Sequence, residues 1–253
     1  MLKNAGTLEG IRIICTYACK RKCQFCYQKV REGGFLDNDK FKNIIENLTW
    51  YPIYLTFQGG EVSYFPEKTI QLIETSHKIL PQVFRKSITS NGDGPFDFYN
   101  DLKMVGITHL AFSLHNTNDC NTKLMEKIVK LSHSGFFTVR VNCYLDEENL
   151  NNVKDVILFC KDNDIQLTLC EDLRCENKVD YHSPNLLKEM LPQFDYDVKF
   201  FKHEYIVNFD KWQLWIYRHL NHYDYNNLII LPDGSTTDTF DDVQECKGNI
   251  PEN

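Results

Sequence analysis

The sequence lacks several features that would each indicate a particular class of protein. No apolar run approaches the roughly 18 residues that a membrane-spanning helix needs. Residues 1–10, MLKNAGTLEG, have no apolar core of the kind that a secretory signal peptide contains. Internal repeats and low-complexity segments are also missing. We therefore expect a cytoplasmic protein that does not enter a membrane.

An excess of basic residues is missing as well. Lys and Arg total 28 against 35 Asp and Glu, which gives a formal net charge of −7. Because proteins that bind nucleic acids usually carry a basic face, we do not expect a nucleic acid as the partner. The 253 residues are enough for one large α/β domain or two small ones.

Cysteine, by contrast, is abundant, with ten residues in the chain. In a reducing compartment these are not expected to form a disulfide framework, so a tight cysteine cluster indicates metal or redox chemistry. Residues 15–26, CTYACKRKCQFC, hold four of them. Cys19, Cys23 and Cys26 have the spacing C-x3-C-x2-C, whereas Cys15 ends a strand pattern and is expected to pack as a small apolar residue.

Short apolar runs alternate with helical patterns along most of the chain. Runs rich in β-branched and aromatic residues predict six strands, at residues 11–15, 53–57, 86–90, 109–114, 137–145 and 165–169. Strands that alternate with helices predict βαβ units and a mainly parallel sheet. The residues that follow do not resemble two more such units. The predicted fold is therefore an α/β partial (β/α)6 barrel with a C-terminal extension.

The predicted domains are a barrel core of residues 8–175 and an extension of residues 176–253 packed on it. The extension is rich in aromatic residues between positions 194 and 225, which predicts either a lid over the open side of the barrel or ordinary core packing. Residues 227–240, NLIILPDGSTTDTF, predict a β-hairpin around an Asp-Gly turn.

The three closely spaced cysteines follow the first predicted strand, at the sheet edge where the active sites of parallel α/β folds collect. Three thiolates so close in sequence can bind one inorganic centre. A structural zinc ion or an electron-transfer iron–sulfur cluster would need a fourth ligand. A zinc-binding or electron-transfer module that catalyses no reaction is therefore the alternative to an enzyme. Three thiolates on a four-iron cluster leave one iron open to a substrate or cofactor.

The run CKRKCQFC resembles the signature of radical S-adenosylmethionine (SAM) enzymes. Further motifs of that family follow later strands, namely QGGE at 58–61, TSNG at 89–92, FSLHN at 112–116 and RVNCY at 140–144. Residues 228–250 are similar to the stretch after the barrel in the group of molybdenum-cofactor cyclases and SPASM-domain enzymes. Because the chain ends shortly after KGNI, a full auxiliary-cluster domain is expected to be absent.

The resemblance implies a 4Fe-4S cluster on Cys19, Cys23 and Cys26, with SAM on the fourth iron. It also implies an oxidoreductase-type reaction. An electron from an external flavodoxin or ferredoxin cleaves SAM to methionine and a 5′-deoxyadenosyl radical, which takes a hydrogen atom from the substrate. The residues implied to contact the cofactor are Phe25, Tyr27, Gly59, Gly60, Glu61, Ser90, Asn91, Ser113, Arg140 and Asn142.

No motif identifies the substrate. The candidates for substrate contact or catalysis are polar residues near predicted strand ends: His115, Asn142, Glu171, Asp172 and Arg174. A small metabolite and a side chain of a ribosomally made peptide are both open, and the expected lack of an auxiliary domain favours the metabolite slightly.

The remaining cysteines divide into two groups. Cys120, Cys143 and Cys160 lie in helix or strand patterns and are expected in the core. A second group, Cys170, Cys175 and Cys246, follows the sixth strand or lies near the C-terminus, where relatives carry ligands of auxiliary clusters. This second group lacks a C-x2-C pair, so a second cluster is not the leading expectation, and whether these three cysteines bind one is left open by the sequence.

Overall fold

A computed structural model of the chain describes residues 8–23, 25, 26, 28, 33–145, 149–171, 190–192, 195–201, 204–209, 211–217 and 227–238. The chain forms two compact units, residues 1–109 with 221–253 and residues 110–220. Among the described residues, no helix is both long and apolar enough to cross a bilayer.

Helices and strands alternate along the chain as far as the sixth strand. In chain order the elements are β1 (Gly10–Ile14), α1 (Asn38–Glu46), β2 (Tyr54–Gln58), α2 (Pro66–Ile79), β3 (Arg85–Ser90), α3 (Phe96–Asp101), β4 (His109–Ser113), α4 (Thr122–His133), β5 (Thr138–Leu145), α5 (Leu150–Asp162), β6 (Gln166–Glu171), β7 (Asp197–Phe201), β8 (Glu204–Phe209), β9 (Trp212–Tyr217), β10 (Asn227–Ile230) and β11 (Thr236–Thr237). All six strands predicted for the core are confirmed to within two residues at each end.

The first unit is built on a sheet in the order β11-β10-β1-β2-β3. The pairs β10–β1, β1–β2 and β2–β3 are parallel, and β11 runs antiparallel to β10. The predicted hairpin is therefore confirmed, and Gly234 takes φ +88° in its turn, a conformation that favours glycine. The sequence did not indicate that β10 would pair with β1, because that pairing joins segments more than 200 residues apart.

Local signals explain where the helices of the first unit begin. The Asp37 carboxylate accepts hydrogen bonds from the N–H groups of Asp39 and Lys40, both at 3.0 Å, and so caps α1. Pro66 is the first residue of α2, where its missing N–H costs no helical hydrogen bond. The apolar face of α1 then covers the sheet, because the buried ring of Phe41 meets that of Phe57 on β2 with centroids 6.3 Å apart.

The second unit contains a sheet in the order β4-β5-β6-β9-β8-β7. The pairs β5–β6 and β6–β9 are parallel, whereas β7, β8 and β9 form an antiparallel meander. In the described part of the aromatic-rich segment, Phe209, Trp212 and Leu214 are buried, and Trp212 Nε1 donates to the Ile165 carbonyl at 2.8 Å. For these residues core packing is confirmed.

The cysteine predictions have mixed outcomes. Cys143 and Cys160 are fully buried, as expected. The prediction for Cys120 is wrong, since this residue is exposed. It lies in a 3-10 turn, Asp119–Asn121, and α4 begins only at Thr122. Cys120 therefore precedes the buried face of the helix, and its Sγ donates to Asn118 Oδ1 at 3.1 Å.

Two further predictions fall on residues outside those described. These are the placement of Cys175 and Cys246 and the domain boundary at 175/176. Cys170 is described and is half-buried on β6.

Candidate functional site

The loop after β1 carries the three closely spaced cysteines, and its two ends meet. Thr16 forms an isolated antiparallel bridge with Phe35. The Leu36 N–H donates to the Cys15 carbonyl at 2.7 Å, and Thr16 Oγ1 donates to the Gly34 carbonyl at 3.1 Å. These contacts close the loop at its base and hold its two ends at the carboxyl end of β1.

The structure separates Cys15 from the other three thiols of this segment. Cys15 is fully buried, its N–H donates to the Gln58 carbonyl at 2.7 Å, and burial raises the pKa of its thiol to about 12. Cys19, Cys23 and Cys26 are only half-buried. Because a thiolate, not a thiol, binds metal, Cys15 is a poor ligand and its prediction as a packing residue is confirmed.

The other three thiols suit an iron–sulfur cluster by their number and accessibility. Within the described ranges, no three Cys, His, Asp or Glu side chains are gathered as ligands of one metal ion. Between Cys19 and Cys23 in the sequence, Arg21 forms an ion pair with Asp93 at 2.6 Å, which fixes a cation within the cysteine loop.

The turn after β2, which contains Gly59 and Gly60, lies directly against the start of the cysteine loop. The Gly60 N–H donates to the Thr16 carbonyl at 2.7 Å, and the Glu61 N–H donates to the Ala18 carbonyl at 2.8 Å. A Cβ on Gly60 would clash with the Ala18 carbonyl oxygen. Glycine is thus required here for two backbone segments to approach each other.

The Glu61 side chain joins the turns that follow β2 and β3. Glu61 is fully buried. Its Oε1 accepts from the Ser63 N–H at 3.0 Å and from Ser90 Oγ at 2.6 Å, and its Oε2 accepts from the Asn91 N–H at 2.6 Å. The carboxylate therefore organises both motif turns, while the expected contact of this region with SAM stays a prediction.

A buried tyrosine extends this network. The Tyr99 hydroxyl donates to Ser90 Oγ at 2.7 Å, since the Ser90 proton is already given to Glu61, and it accepts from the Gly94 N–H at 3.3 Å. Burial, followed by the charge of Glu61, raises the pKa of Tyr99. The sequence did not indicate this residue, because nothing in the α3 segment shows that one of its aromatic side chains makes polar contacts.

Asn91 offers a donor to a ligand in the first unit. It is 8% exposed, and its Oδ1 accepts from the Asp93 N–H at 2.9 Å. Its Nδ2 is buried and makes no hydrogen bond of good geometry. A buried amide N–H is costly to leave unpaired, so Nδ2 is a donor that an oxygen of a ligand would satisfy.

In the second unit, His115 follows β4 and contacts the end of β5. The Tyr144 N–H donates to His115 Nδ1 at 3.0 Å. Nδ1 must then carry a lone pair, so the neutral ring has its proton on Nε2. Asn149 Nδ2 donates to the carbonyls of His115 and Tyr144, at 3.3 and 3.0 Å. These contacts join the two strand ends.

The other polar candidates of this unit lie on β4 and β5. Val141 and Cys143 are buried, and Cys160 of α5 lies near enough to Cys143 to raise its pKa beyond the effect of burial. Arg140 and Asn142 alternate with them and so face the side opposite α5. Asn142 Oδ1 is buried without a hydrogen-bond partner, which makes it an acceptor for a ligand.

The remaining predicted residues are placed as follows. Ser113 is half-buried at the end of β4, Phe25 is half-buried in the cysteine loop, and Glu171 ends β6. Tyr27, Asp172 and Arg174 lie outside the described residues.

The sequence profile of the radical SAM superfamily matches residues 13–163, which is more than half of the chain. The protein therefore belongs to the radical SAM superfamily, and its cofactors are a 4Fe-4S cluster and SAM. A search of curated proteins by sequence finds no match.

Solved structures of radical SAM enzymes are similar to this chain in fold. SuiB of Streptococcus suis bound to its precursor peptide SuiA matches 96% of this chain and 62% of its own, with a TM-score of 0.73 and 13% identity. The enzyme anSMEcpe with bound AdoMet matches 72% of this chain and 58% of its own, with a TM-score of 0.55 and 16% identity. Methylornithine synthase (PylB) matches 76% of this chain and 64% of its own, with a TM-score of 0.53 and 15% identity.

Likeness at such low identity shows the fold. The predicted α/β fold, a partial barrel of six core strands with a mainly parallel sheet, is confirmed, and C-terminal antiparallel strands are added to it. The chain spans about three fifths of the length of these structures.

Proposed function

We propose that this radical SAM enzyme binds its cluster through Cys19, Cys23 and Cys26 and abstracts a hydrogen atom from an organic substrate. The observation that carries the assignment is the division of the thiols: three half-buried on a loop closed at its base, and Cys15 buried beneath it. The bound cluster would pass one electron from a flavodoxin- or ferredoxin-type reductant to SAM, which breaks to methionine and a 5′-deoxyadenosyl radical.

The residues around the loop hold it and receive SAM. Gly59 and Gly60 let the turn after β2 lie against the loop, and Glu61 joins that turn to the one after β3. Asn91 Nδ2 would donate to a carboxylate or ribose oxygen of SAM. In the second unit, Ser113, Arg140 and Asn142 offer a hydroxyl, a cation and an amide acceptor to SAM or substrate. Phe25 and Tyr27 would contact the adenine.

We propose a peptide side chain as the first substrate class to test. Support comes from SuiB, which is bound to a precursor peptide and whose likeness to this chain extends through the C-terminal strands. A small metabolite is the second class, supported by the likeness to methylornithine synthase. His115 and Glu171 are the described candidates for contacts with either substrate, and Asp172 and Arg174 are the others.

Anaerobic reconstitution tests the proposed cluster site. The wild-type protein should bind about four irons with matching sulfide, and after reduction it should convert SAM to 5′-deoxyadenosine. Cys19→Ala should lose both the iron and the cleavage. Cys15→Ser is the matched control and should retain the iron, because Cys15 packs under the loop. One zinc per chain without SAM cleavage would refute the proposal, and loss of iron in Cys15→Ser would refute the assignment of ligands.

Deuterium transfer then separates the two substrate classes. The reduced protein is incubated with SAM and either deuterated candidate peptides or deuterated small metabolites, and 5′-deoxyadenosine is analysed by mass spectrometry. Deuterium gained from a peptide supports the first class. Deuterium gained only from a metabolite contradicts it and supports the second.

A further inference from the structure

Two cationic residues of the cysteine loop are held by a single acidic side chain and its tyrosine neighbour. Arg21 Nη2 lies 2.6 Å from Asp93 Oδ1. The Tyr64 hydroxyl donates to Asp93 Oδ2 at 2.9 Å, and Lys20 Nζ lies 5.0 Å from the centroid of the Tyr64 ring. We call Arg21, Tyr64 and Asp93 the loop clasp.

The geometry of the clasp differs from that of an ordinary solvated charge run. The side chains of Arg21 and Asp93 are 30% and 31% exposed, whereas Lys20 and Lys22 on either side of Arg21 are exposed. Both Asp93 oxygens accept a hydrogen bond. Burial and then Asp93 raise the pKa of Tyr64 to about 12, so the tyrosine remains a donor at neutral pH.

Asp93 is itself fixed to the frame of the first unit. Its N–H donates to Asn91 Oδ1, and the Asn91 N–H donates to the buried Glu61 carboxylate. Glu61 is joined through its own N–H to the Ala18 carbonyl. Asp93 therefore offers the cysteine loop an anchor that is rigid with respect to β2 and β3.

Arg21 connects this anchor to the thiols. It lies between Cys19 and Cys23 in sequence. Burial acts to lower the pKa of Arg21, but the hydrogen bond and charge of Asp93 outweigh it and the pKa is raised, with Cys23 as a further contributor. The ion pair with Asp93, at 2.6 Å, therefore fixes a cation at a loop position between these two cysteines.

We propose that Asp93 and Arg21 are positioning residues: Asp93 holds the Arg21 guanidinium, two positions from both Cys19 and Cys23 in the sequence, so that the cysteine loop is preformed for the cluster and carries a fixed cation. This inference rests on the proposed function, because it takes Cys23 as a cluster ligand. Neither residue needs to touch an iron or SAM to act in this way.

Four variants and one control test the clasp. Asp93→Asn removes the anchor and keeps its shape, Arg21→Gln removes the cation, and the double variant removes both. Arg21→Lys keeps a cation that can bind the same Asp93 oxygen, Oδ1. Glu46→Gln is the control, because it breaks an exposed ion pair with Lys42 (3.8 Å) within α1, outside the cysteine loop. Circular dichroism spectra identify any variant that does not fold.

The readouts do not depend on SAM cleavage. Each protein is reconstituted anaerobically, and the rate at which a chelator removes iron is measured, together with the midpoint potential of the cluster by an electron paramagnetic resonance titration. Asp93→Asn and Arg21→Gln should each lose iron about fivefold faster than wild type, since a partly buried ion pair has a modest effect. Arg21→Gln should lower the midpoint potential, because the reduced cluster is more negative. Arg21→Lys and Glu46→Gln should stay near wild type.

The double variant shows whether the two residues act together. If they do, it should lose iron no faster than the single variants, because one interaction cannot be lost twice. Wild-type rates in both single variants, or a double variant whose effect is the product of the two, would overturn the proposal. A wild-type protein that takes up no iron would overturn the proposed function instead, so the two failures can be told apart.

Discussion

The polar residues at the strand ends of the two units are used differently. In the first unit, Glu61 and Ser90 bond to each other and to backbone N–H groups after β2 and β3. In the second unit, His115 and Asn149 join the ends of β4 and β5, and Asn142 keeps a buried acceptor without a partner. The motif residues are therefore of two kinds. Some hold the turns in place through hydrogen bonds, and others keep a polar atom that can bind a ligand.

Among the variants that test this comparison, removal of the Glu61 carboxylate should lower the stability of the protein the most. Glu61→Ala leaves three donors without their acceptor, so the free energy of unfolding should fall by about 3–5 kcal/mol. Urea unfolding measures it, with exposed Glu74→Ala as the control. Unchanged stability combined with lost SAM affinity would show that Glu61 is a ligand contact instead of an organiser of the turns.

A methyl group on Gly60 should have the next largest effect. Its Cβ would meet the Ala18 carbonyl oxygen, so Gly60→Ala must displace the cysteine loop or the turn after β2 and should cost about 2–3 kcal/mol. At Gly34, in the same loop, a Cβ meets no atom within 4 Å. Gly34→Ala should therefore change the unfolding free energy by less than about 0.5 kcal/mol. Equal effects of the two variants would contradict the close backbone approach.

The smallest expected effect concerns the second unit. His115→Ala removes the acceptor of the Tyr144 N–H and should cost about 1 kcal/mol in urea unfolding, while exposed His133→Ala should cost less. The nitrogen resonances of His115 in the wild-type protein provide a direct check, since Nδ1 should be unprotonated in the neutral ring. A proton on Nδ1 would be inconsistent with the bond between the two strand ends.

The six core strands, the start of α2 at Pro66 and the cap of α1 at Asp37 were predictable because each depends on neighbouring residues. The same holds for the cysteine spacing. Cys120 was misplaced because a helix start depends on the turn that precedes it. The pairing of β10 with β1 and the meander of β7 to β9 could not be anticipated, since sheet neighbours are chosen by packing between distant segments.

For the site, the sequence by itself determined the chemistry: three thiols at a spacing that suits a cluster, and glycine where a side chain would not fit. The tertiary structure decided which residues serve the ligand and which serve the frame. Glu61 and Asn91 both belong to motifs of the family, but the Glu61 carboxylate is used by the frame whereas Asn91 Nδ2 is buried without a hydrogen bond of good geometry. The bonds of Glu61 with Ser90 and of Arg21 with Asp93 join residues 29 and 72 positions apart, so only folding could bring their charges and donors together.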